Sequence, residues 1–164
     1  MNIIGSHVYS LVLRSNSPRV RAAVKLIRSA AEAVKNGPRS FTKPMTERGH
    51  KLYMVGFTNR TVIYVGEATS GMATKLNRGL NAKGQHGYHG YKWRSLRCPL
   101  RIAVWAFDAS TKRSEVEAIE AEVTFLVRLQ SGEWPSHQNE IHFQWQTTKR
   151  HRLLARRIIY EWDG

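Results

Sequence analysis

The chain has 164 residues, which is enough for one domain with a buried core, and its apolar fraction of 41% is typical of a folded protein. It carries 26 Lys and Arg against 12 Asp and Glu, and a net charge of +14 favours a polyanionic partner such as nucleic acid. A single cysteine excludes an intramolecular disulfide and a cysteine-based zinc site. No apolar run is long enough to cross a bilayer, and the first residues lack a signal-peptide layout, so we expect a cytoplasmic protein that does not enter a membrane.

The basic residues concentrate at the two ends of the chain. Residues 1–48 hold nine Lys and Arg with two acids, and residues 146–164 hold five with two acids. Residues 49–145 are more balanced, with twelve basic and eight acidic side chains. This predicts a mixed-charge central core, 49–145, between a basic N-terminal arm and helix, 1–48, and a basic C-terminal helix, 146–164, within one compact unit.

The N-terminal segment is predicted to contain a weak strand or packed arm at 6–14, followed by a basic helix. Ser17 and Pro18 are typical of a helix start, and Gly37-Pro38 is typical of a helix end. Apolar residues between them recur with helical period. The opposite face carries Arg21, Lys25 and Arg28, which is either a surface for phosphates or an ordinary solvated face.

The central segment begins with a predicted β-hairpin. Residues 52–57 and 61–65 are short apolar runs separated by Asn59-Arg60, a turn position. A short helix is expected from Gly71 to about residue 81, because its apolar side chains recur every four residues. Residues 84–91 contain Gly, Gln, His and Tyr alone, which indicates a loop.

The second half is predicted to be a buried strand and two helices. Residues 100–107 are typical of a strand, and 114–130 of a helix with Ser114 as cap and Glu117 completing a capping box. A short strand is expected at 140–145, and a basic helix at 148–160 carries Arg156 and Arg157. The order of elements predicts an α+β fold, a small antiparallel sheet flanked by helices, with basic helices at both ends.

One acid on the 114–130 helix falls on the predicted inward side. A helical projection places Glu122 between Ile119 and Leu126, whereas Glu120 lies at the edge of the apolar arc and Thr124 on the wet face. A carboxylate inside a protein is costly unless it is paired or binds a metal. Glu122 is therefore predicted either to bind a metal or to pair with an inward Arg or Lys.

Two tyrosines, an arginine and this acid follow one another along the chain in an order that resembles the signature of GIY-YIG nucleases. Tyr53 lies in the first strand of the hairpin, and Tyr64 follows eleven residues later at the start of Tyr-Val-Gly. Arg78 is on the next helix and Glu122 on a later one. The resemblance covers roughly residues 50–145, and it departs from the signature at Lys51, where the family has its first glycine.

The resemblance implies a site for phosphodiester hydrolysis with one divalent cation, Mg²⁺ or another such as Mn²⁺, held by Glu122. It also implies that Tyr53 orients or deprotonates the water, that Tyr64 contacts the phosphate or water, and that Arg78 clamps the phosphate. Asn139 would support the site. The position four residues after Arg78 is Ala82, so the auxiliary residue is Tyr88, His86 or His89, of which Tyr88 is favoured. A free phenol is a poor base at neutral pH, so it needs a nearby cation, such as Lys75 or the metal, to lower its pKa.

These observations predict a small Mg²⁺-dependent DNA endonuclease, most similar to a stand-alone type II restriction enzyme. The residues expected to bind DNA are Lys75, Arg21, Lys25, Arg28, Arg156 and Arg157. A palindromic site would favour a homodimer, because cutting both strands requires two active sites or two visits. The alternatives are a non-catalytic nucleic-acid-binding protein with this fold, a ribonucleoprotein subunit, and a repair or homing nuclease, and the substrate is either DNA or RNA.

Overall fold

The structure is a computed structural model that describes residues 1–16, 18–139, 141 and 143–164. The described strands are β1 (Ile3–Asn16), β2 (Arg19–Ser29), β3 (Glu32–Ala33), β4 (Lys51–Phe57), β5 (Val62–Ala68) and β6 (Leu100–Phe107). The helices are α1 (Met72–Leu80), α2 (Arg113–Ser131) and α3 (Lys149–Asp163), and short 3-10 turns occupy Gln85–Gly87 and Lys92–Ser95.

The strands form one antiparallel sheet in the order β3-β2-β1-β6-β4-β5. The α+β class with an antiparallel sheet is therefore confirmed, although two of the six strands in the described residues, β2 and β3, are not predicted from the sequence. The pairing of β1 with β6 makes residues 3–11 part of the same sheet as the central hairpin. No helix of the described residues is both long and apolar enough to cross a membrane.

The predicted basic helix at 18–36 is wrong, because this segment forms β2 and β3. β2 pairs with β1 from Arg19 opposite Asn16 to Ser29 opposite His7. Val24 and Leu26 alternate with the exposed Lys25, as a half-buried strand requires. Ala30 and Ala31 have φ of 46° and 69°, which forms the turn into β3 and interrupts any helix. The predicted cap, Ser17, lies outside the described residues.

A separate hydrophobic core lies on each face of the sheet. On one face, α1, Phe41, Met45 and the aromatic rings of Tyr91 and Trp93 pack on Tyr53 and its neighbours. On the other face, α2 and α3 pack through Val116, Val123, Ile158 and Trp162 on side chains such as Leu52 and Trp105. This three-layer arrangement leaves β5 at one edge of the sheet, between a helix on each face.

The helix ends differ from the sequence prediction in detail. α2 begins after Lys112, and the Glu115 carboxylate accepts from the Lys112 backbone N–H at 2.7 Å, so Ser114 is not the cap and Glu117 is not the capping-box acid. α3 begins after Thr148, whose hydroxyl accepts from the His151 N–H at 3.3 Å. Residues 141 and 143–145 form no strand, and Glu140 and His142 of the predicted 140–145 strand lie outside the described residues.

Lys51, the first residue of β4, has a structural role in the hairpin. Its side chain is buried at 1% exposure, and its ammonium group donates to three backbone carbonyls, those of Glu47 at 2.7 Å, Gly49 at 2.9 Å and Ser70 at 3.2 Å. An ammonium group has three donors, so all of them are satisfied. Lys51 therefore joins the segment before β4 to the turn before α1.

We expect Lys51→Met to destabilise the fold by about 3 kcal/mol, because the buried side chain loses three hydrogen bonds to backbone carbonyls. The measurement is the free energy of unfolding in urea. Lys43→Met is the matched control, since the Lys43 side chain is 82% exposed and pairs with Glu47 four residues later in the turn before β4. It should change stability by less than about 0.5 kcal/mol. Equal losses in the two variants would contradict the assigned role of Lys51.

Candidate functional site

A solvent-open pocket of about 370 Å³ lies along the free edge of β5, between α1 and α2. We call it the β5 pocket. It combines phenols, acids and cations on a small surface, which is the composition expected of a chemically active site. The described residues that line it are Tyr64, Glu67, Lys75, Tyr88, Arg113, Glu117, Glu120 and Ile141.

The helical period of α2 brings its polar side chains to this pocket. Arg113, Glu117, Glu120 and Thr124 are spaced by four, three and four residues and therefore share one stripe of the helix. Thr124 is fully buried, and its hydroxyl donates to the Glu120 carbonyl at 2.7 Å. Glu117 and Glu120, which precede Thr124 on the same stripe, line the β5 pocket.

Three tyrosines form the base of the pocket. Tyr53 is fully buried, and its hydroxyl is 2.7 Å from the hydroxyl of Tyr91. The ring of Tyr64 lies 5.8 Å from that of Tyr53, and Tyr64 lines the pocket. Burial raises the pKa of both Tyr53 and Tyr64, and the negative charge of Glu120 raises that of Tyr64 further. Both phenols therefore keep their protons at neutral pH and act as hydrogen-bond donors.

Two glycines make room for these rings. A Cβ atom at Gly66 would lie 2.6 Å from the Tyr64 ring and 2.8 Å from the Tyr53 hydroxyl. A Cβ atom at Gly79 on α1 would lie 2.1 Å from the ring of Tyr91. The glycine of the Tyr-Val-Gly segment is thus required by the close packing of the phenols on β5.

The acids of the pocket are incompletely neutralised. Arg113 donates to Oε1 of Glu67 at 3.1 Å and pairs with Glu117 at 3.0 Å. The other oxygen of Glu67, Oε2, is buried and has no hydrogen-bond partner in the described part of the chain. Burial, followed by repulsion from Glu67, raises the pKa of Glu120 to about 8, although Lys75 and Arg113 act in the opposite direction.

Lys75 is the cation on the α1 side of the pocket. Burial lowers the pKa of its ammonium group, which Glu67 and Glu120 partly offset. Within 4.0 Å it makes no ion pair with a described carboxylate. Its charge is therefore available to an anionic ligand in the pocket.

The predicted metal-binding acid, Glu122, is wrong as a pocket residue, because Glu120 lines the pocket in its place. Two positions along a helix rotate a side chain by about 200°. Val116, Ile119 and Val123 of α2 pack in one core cluster with Val65 of β5 and with α3, so the apolar arc is used in this core, and the stripe that carries Glu120 borders the pocket. Thr124, predicted to be wet, is fully buried.

The other predicted catalytic residues are divided among three places. Tyr64, Lys75 and Tyr88 line the pocket, whereas Tyr53 lies beneath it without exposure to solvent. Arg78 and His86 line a neighbouring groove, and His89 is absent from the described lining of either cavity. Asn139 is half-buried and follows Gln138, but it is not among the described residues that line the pocket. Tyr53 therefore presents no exposed surface to the pocket.

The predicted DNA-binding residues outside the pocket do not form a pair of helices. Arg21 and Lys25 are exposed on β2, and Arg28 donates to the Glu161 carbonyl near the end of α3. Arg156 is exposed on α3, and Arg157 pairs with Glu161 at 2.7 Å. Neither Arg156 nor Arg157 is among the described residues that line the β5 pocket.

Sequence analysis missed one residue that holds the pocket together. The amide of Gln138 accepts from the N–H of Val65 at 2.8 Å and donates to its carbonyl at 2.9 Å. It thus replaces a neighbouring strand at the open edge of β5. The Lys92 ammonium donates to the Gln138 carbonyl at 3.0 Å. Only long-range contacts mark Gln138, so no local pattern in the sequence indicates its role.

The pocket suits a divalent cation with few protein ligands. No three His, Cys, Asp or Glu side chains of the described residues form a group that could enclose a metal ion. The buried free oxygen of Glu67 and the neighbouring Glu120 nevertheless offer uncompensated oxygen ligands. Mg²⁺ commonly takes one or two carboxylates and keeps several waters, so this donor set fits it.

The chain was compared with known proteins in three ways. It matches no model of a protein family, no curated protein and no solved structure.

We expect Glu120→Gln to alter the pH dependence of stability. Between pH 4.5 and about 8 the folded chain retains a proton on Glu120 that the unfolded chain releases, so wild-type stability falls as the pH rises through this window. Glutamine cannot ionise and removes this loss. The variant should therefore gain stability relative to wild type from pH 5 to pH 9, by an amount on the order of a few kcal/mol.

The measurement is urea unfolding across this pH range in the presence of a chelator. Glu122→Gln on the same helix is the control, and its difference from wild type should stay within about 0.5 kcal/mol at every pH. A Glu120→Gln curve parallel to that of wild type would refute the burial of an unneutralised carboxyl in the pocket.

Proposed function

We propose that the protein is an endonuclease that hydrolyses phosphodiester bonds in DNA and that the β5 pocket is its active site. The observation that carries this proposal is the convergence of a phenol, an unpaired ammonium group and a carboxyl group with a raised pKa on one open pocket. Hydrolysis of a phosphodiester requires groups that orient water, balance negative charge and move a proton, and these three groups supply them.

In this proposal each residue has a separate role. Tyr64 keeps its proton and donates a hydrogen bond to the attacking water or to a phosphate oxygen. Lys75 balances the charge that develops on the phosphate. Ionised Glu120 accepts a proton from the attacking water as the new oxygen–phosphorus bond forms. The bond to the leaving oxygen breaks, and that oxygen takes a proton from the solvent that fills the open pocket. Tyr88 also lines the pocket.

A divalent cation such as Mg²⁺, held by Oε2 of Glu67 and by water, would supply Lewis-acid stabilisation of the phosphate and leaving oxygen. Its positive charge beside Glu120 would also favour the ionised form of Glu120 at neutral pH. The support for this assignment is the unpartnered Oε2 of Glu67. The order of motifs shared with GIY-YIG nucleases supports the same activity, with Glu120 in the place that the sequence predicted for Glu122.

A second candidate is a nucleic-acid-binding protein without catalytic activity. It is favoured by the raised pKa values of the phenols, which keep them protonated at neutral pH so that they cannot accept a proton from water, and by the lack of a three-ligand cluster of His, Cys, Asp or Glu in the described residues. A net charge of +14 serves both candidates. Cleavage is therefore the property that distinguishes them.

We expect the wild-type protein to nick supercoiled plasmid in a Mg²⁺-dependent manner. Glu120→Gln and Lys75→Met should each lower the nicking rate by about 100-fold or more, because they remove groups that act on the transition state. Glu122→Gln is the matched control and should keep the wild-type rate. All variants should bind the plasmid in a gel-shift assay.

Two results would reject the nuclease assignment or its site. Binding without nicking by the wild-type protein, on plasmids of varied sequence with Mg²⁺ or Mn²⁺, would favour the binding protein. Equal nicking by Glu120→Gln and Glu122→Gln would place the active site elsewhere. If the enzyme nicks, discrete fragments would indicate site-specific restriction, and a continuous smear would indicate unspecific cleavage.

A further inference from the structure

A second and larger groove, of about 1030 Å³, lies beside the β5 pocket. We call it the basic groove. Three parts of the chain form it: the start of β2, the C-terminal end of α1 and the loop from 82 to 97. Its cationic lining residues are Arg19, Arg78, Lys83, Arg94 and Arg97.

The charge of this groove is uncompensated. No Asp or Glu is among the described residues that line it. None of its five cationic side chains takes part in an ion pair within the described chain. Five positive charges gathered without acids repel one another, and the arrangement is stabilised by an anion that spans several of them.

The groove is also preorganised by hydrogen bonds within the chain. The Asn81 amide donates to the Val20 carbonyl and accepts from the Val20 N–H, both at 2.9 Å, which joins α1 to β2. Arg94 donates to the carbonyls of Ala82 at 2.8 Å and His89 at 3.2 Å. These neutral acceptors fix the guanidinium group while leaving its charge unneutralised.

The groove continues into the β5 pocket. Tyr88 lines both cavities. Arg78, on the groove side, is one α-helical turn from Lys75 on the pocket side. If one phosphate of a strand lies in the β5 pocket, the neighbouring phosphates of that strand therefore lie near the cations of the basic groove.

We propose that the basic groove binds the sugar-phosphate backbone of a nucleic acid and leads that strand into the β5 pocket. A single phosphate would engage only a part of a surface this large, whereas a phosphodiester chain presents a negative charge at every nucleotide. The cleavage at the end of this path rests on the proposed function, but binding in the groove does not. DNA and RNA share the recognised backbone, so both are included in the test.

The test compares two variants that lose the same charge at different places. Lys83→Ala/Arg97→Ala removes two exposed cations of the groove, and Lys149→Ala/Arg152→Ala removes two exposed cations of α3. Both pairs are made in the Glu120→Gln background with a chelator, so that nothing is cleaved. Affinity for labelled duplex DNA, single-stranded DNA and single-stranded RNA is measured by fluorescence anisotropy over a series of salt concentrations, and thermal unfolding checks that each variant is folded.

We expect the groove variant to bind its preferred nucleic acid at least about tenfold more weakly. On duplex DNA the slope of log affinity against log salt should become shallower by about 2, because two phosphate contacts are lost and each contributes about 0.9. The α3 variant should keep the wild-type slope. The nucleic acid bound most tightly by the wild-type chain, and most weakened by the groove substitutions, identifies the strand that the groove takes.

Two outcomes would overturn the groove assignment: unchanged binding by the groove variant, or an equal loss in the α3 variant. The plasmid assay separates this failure from that of the nuclease. If the wild-type protein nicks while the groove variant binds normally, the groove assignment fails and the nuclease stands. If the wild-type protein does not nick but the groove variant binds weakly with the shallower slope, the groove stands and the nuclease fails.

Discussion

The packing of three tyrosines on two glycines is the constraint on which the candidate site depends. Tyr53 and Tyr64 crowd against Gly66 on β5, and Tyr91 lies against Gly79 on α1. This contact fixes the distance between the sheet edge and α1, and therefore the width of the β5 pocket. It also holds the 82–97 loop, because Tyr91 belongs to that loop and stacks on Trp93 with ring centroids 4.6 Å apart.

Two side-chain amides pair with open strand edges of the sheet and also help to form the two cavities. The free edge of β5 meets the amide of Gln138, and the start of β2 meets the amide of Asn81. Each amide satisfies one backbone N–H and one carbonyl that would otherwise remain open to another strand. Because the first amide lies beside the β5 pocket and the second lines the basic groove, the contacts that close the sheet also position the two cavities.

The electrostatics of the two cavities are opposite in kind. The β5 pocket holds acids close together at the expense of stability, as the raised pKa of Glu120 shows. The basic groove gathers cations without any described acid. Charged groups held in unfavourable surroundings are typical of ligand-binding sites, because a ligand of opposite charge neutralises them. A metal cation would neutralise the acids of the β5 pocket, and a polyanion would neutralise the cations of the basic groove.

The sequence by itself determined the elements whose signals are local: the central hairpin, α1, β6, α2 and α3 all occur close to the predicted positions. It did not determine β2, because the apolar spacing of 20–34 fits a helix until β1 supplies hydrogen bonds along its length. It also could not choose between Glu120 and Glu122. A helical projection gives the angle between side chains, but only the packing of α2 against both the sheet and α3 decides which side faces β5.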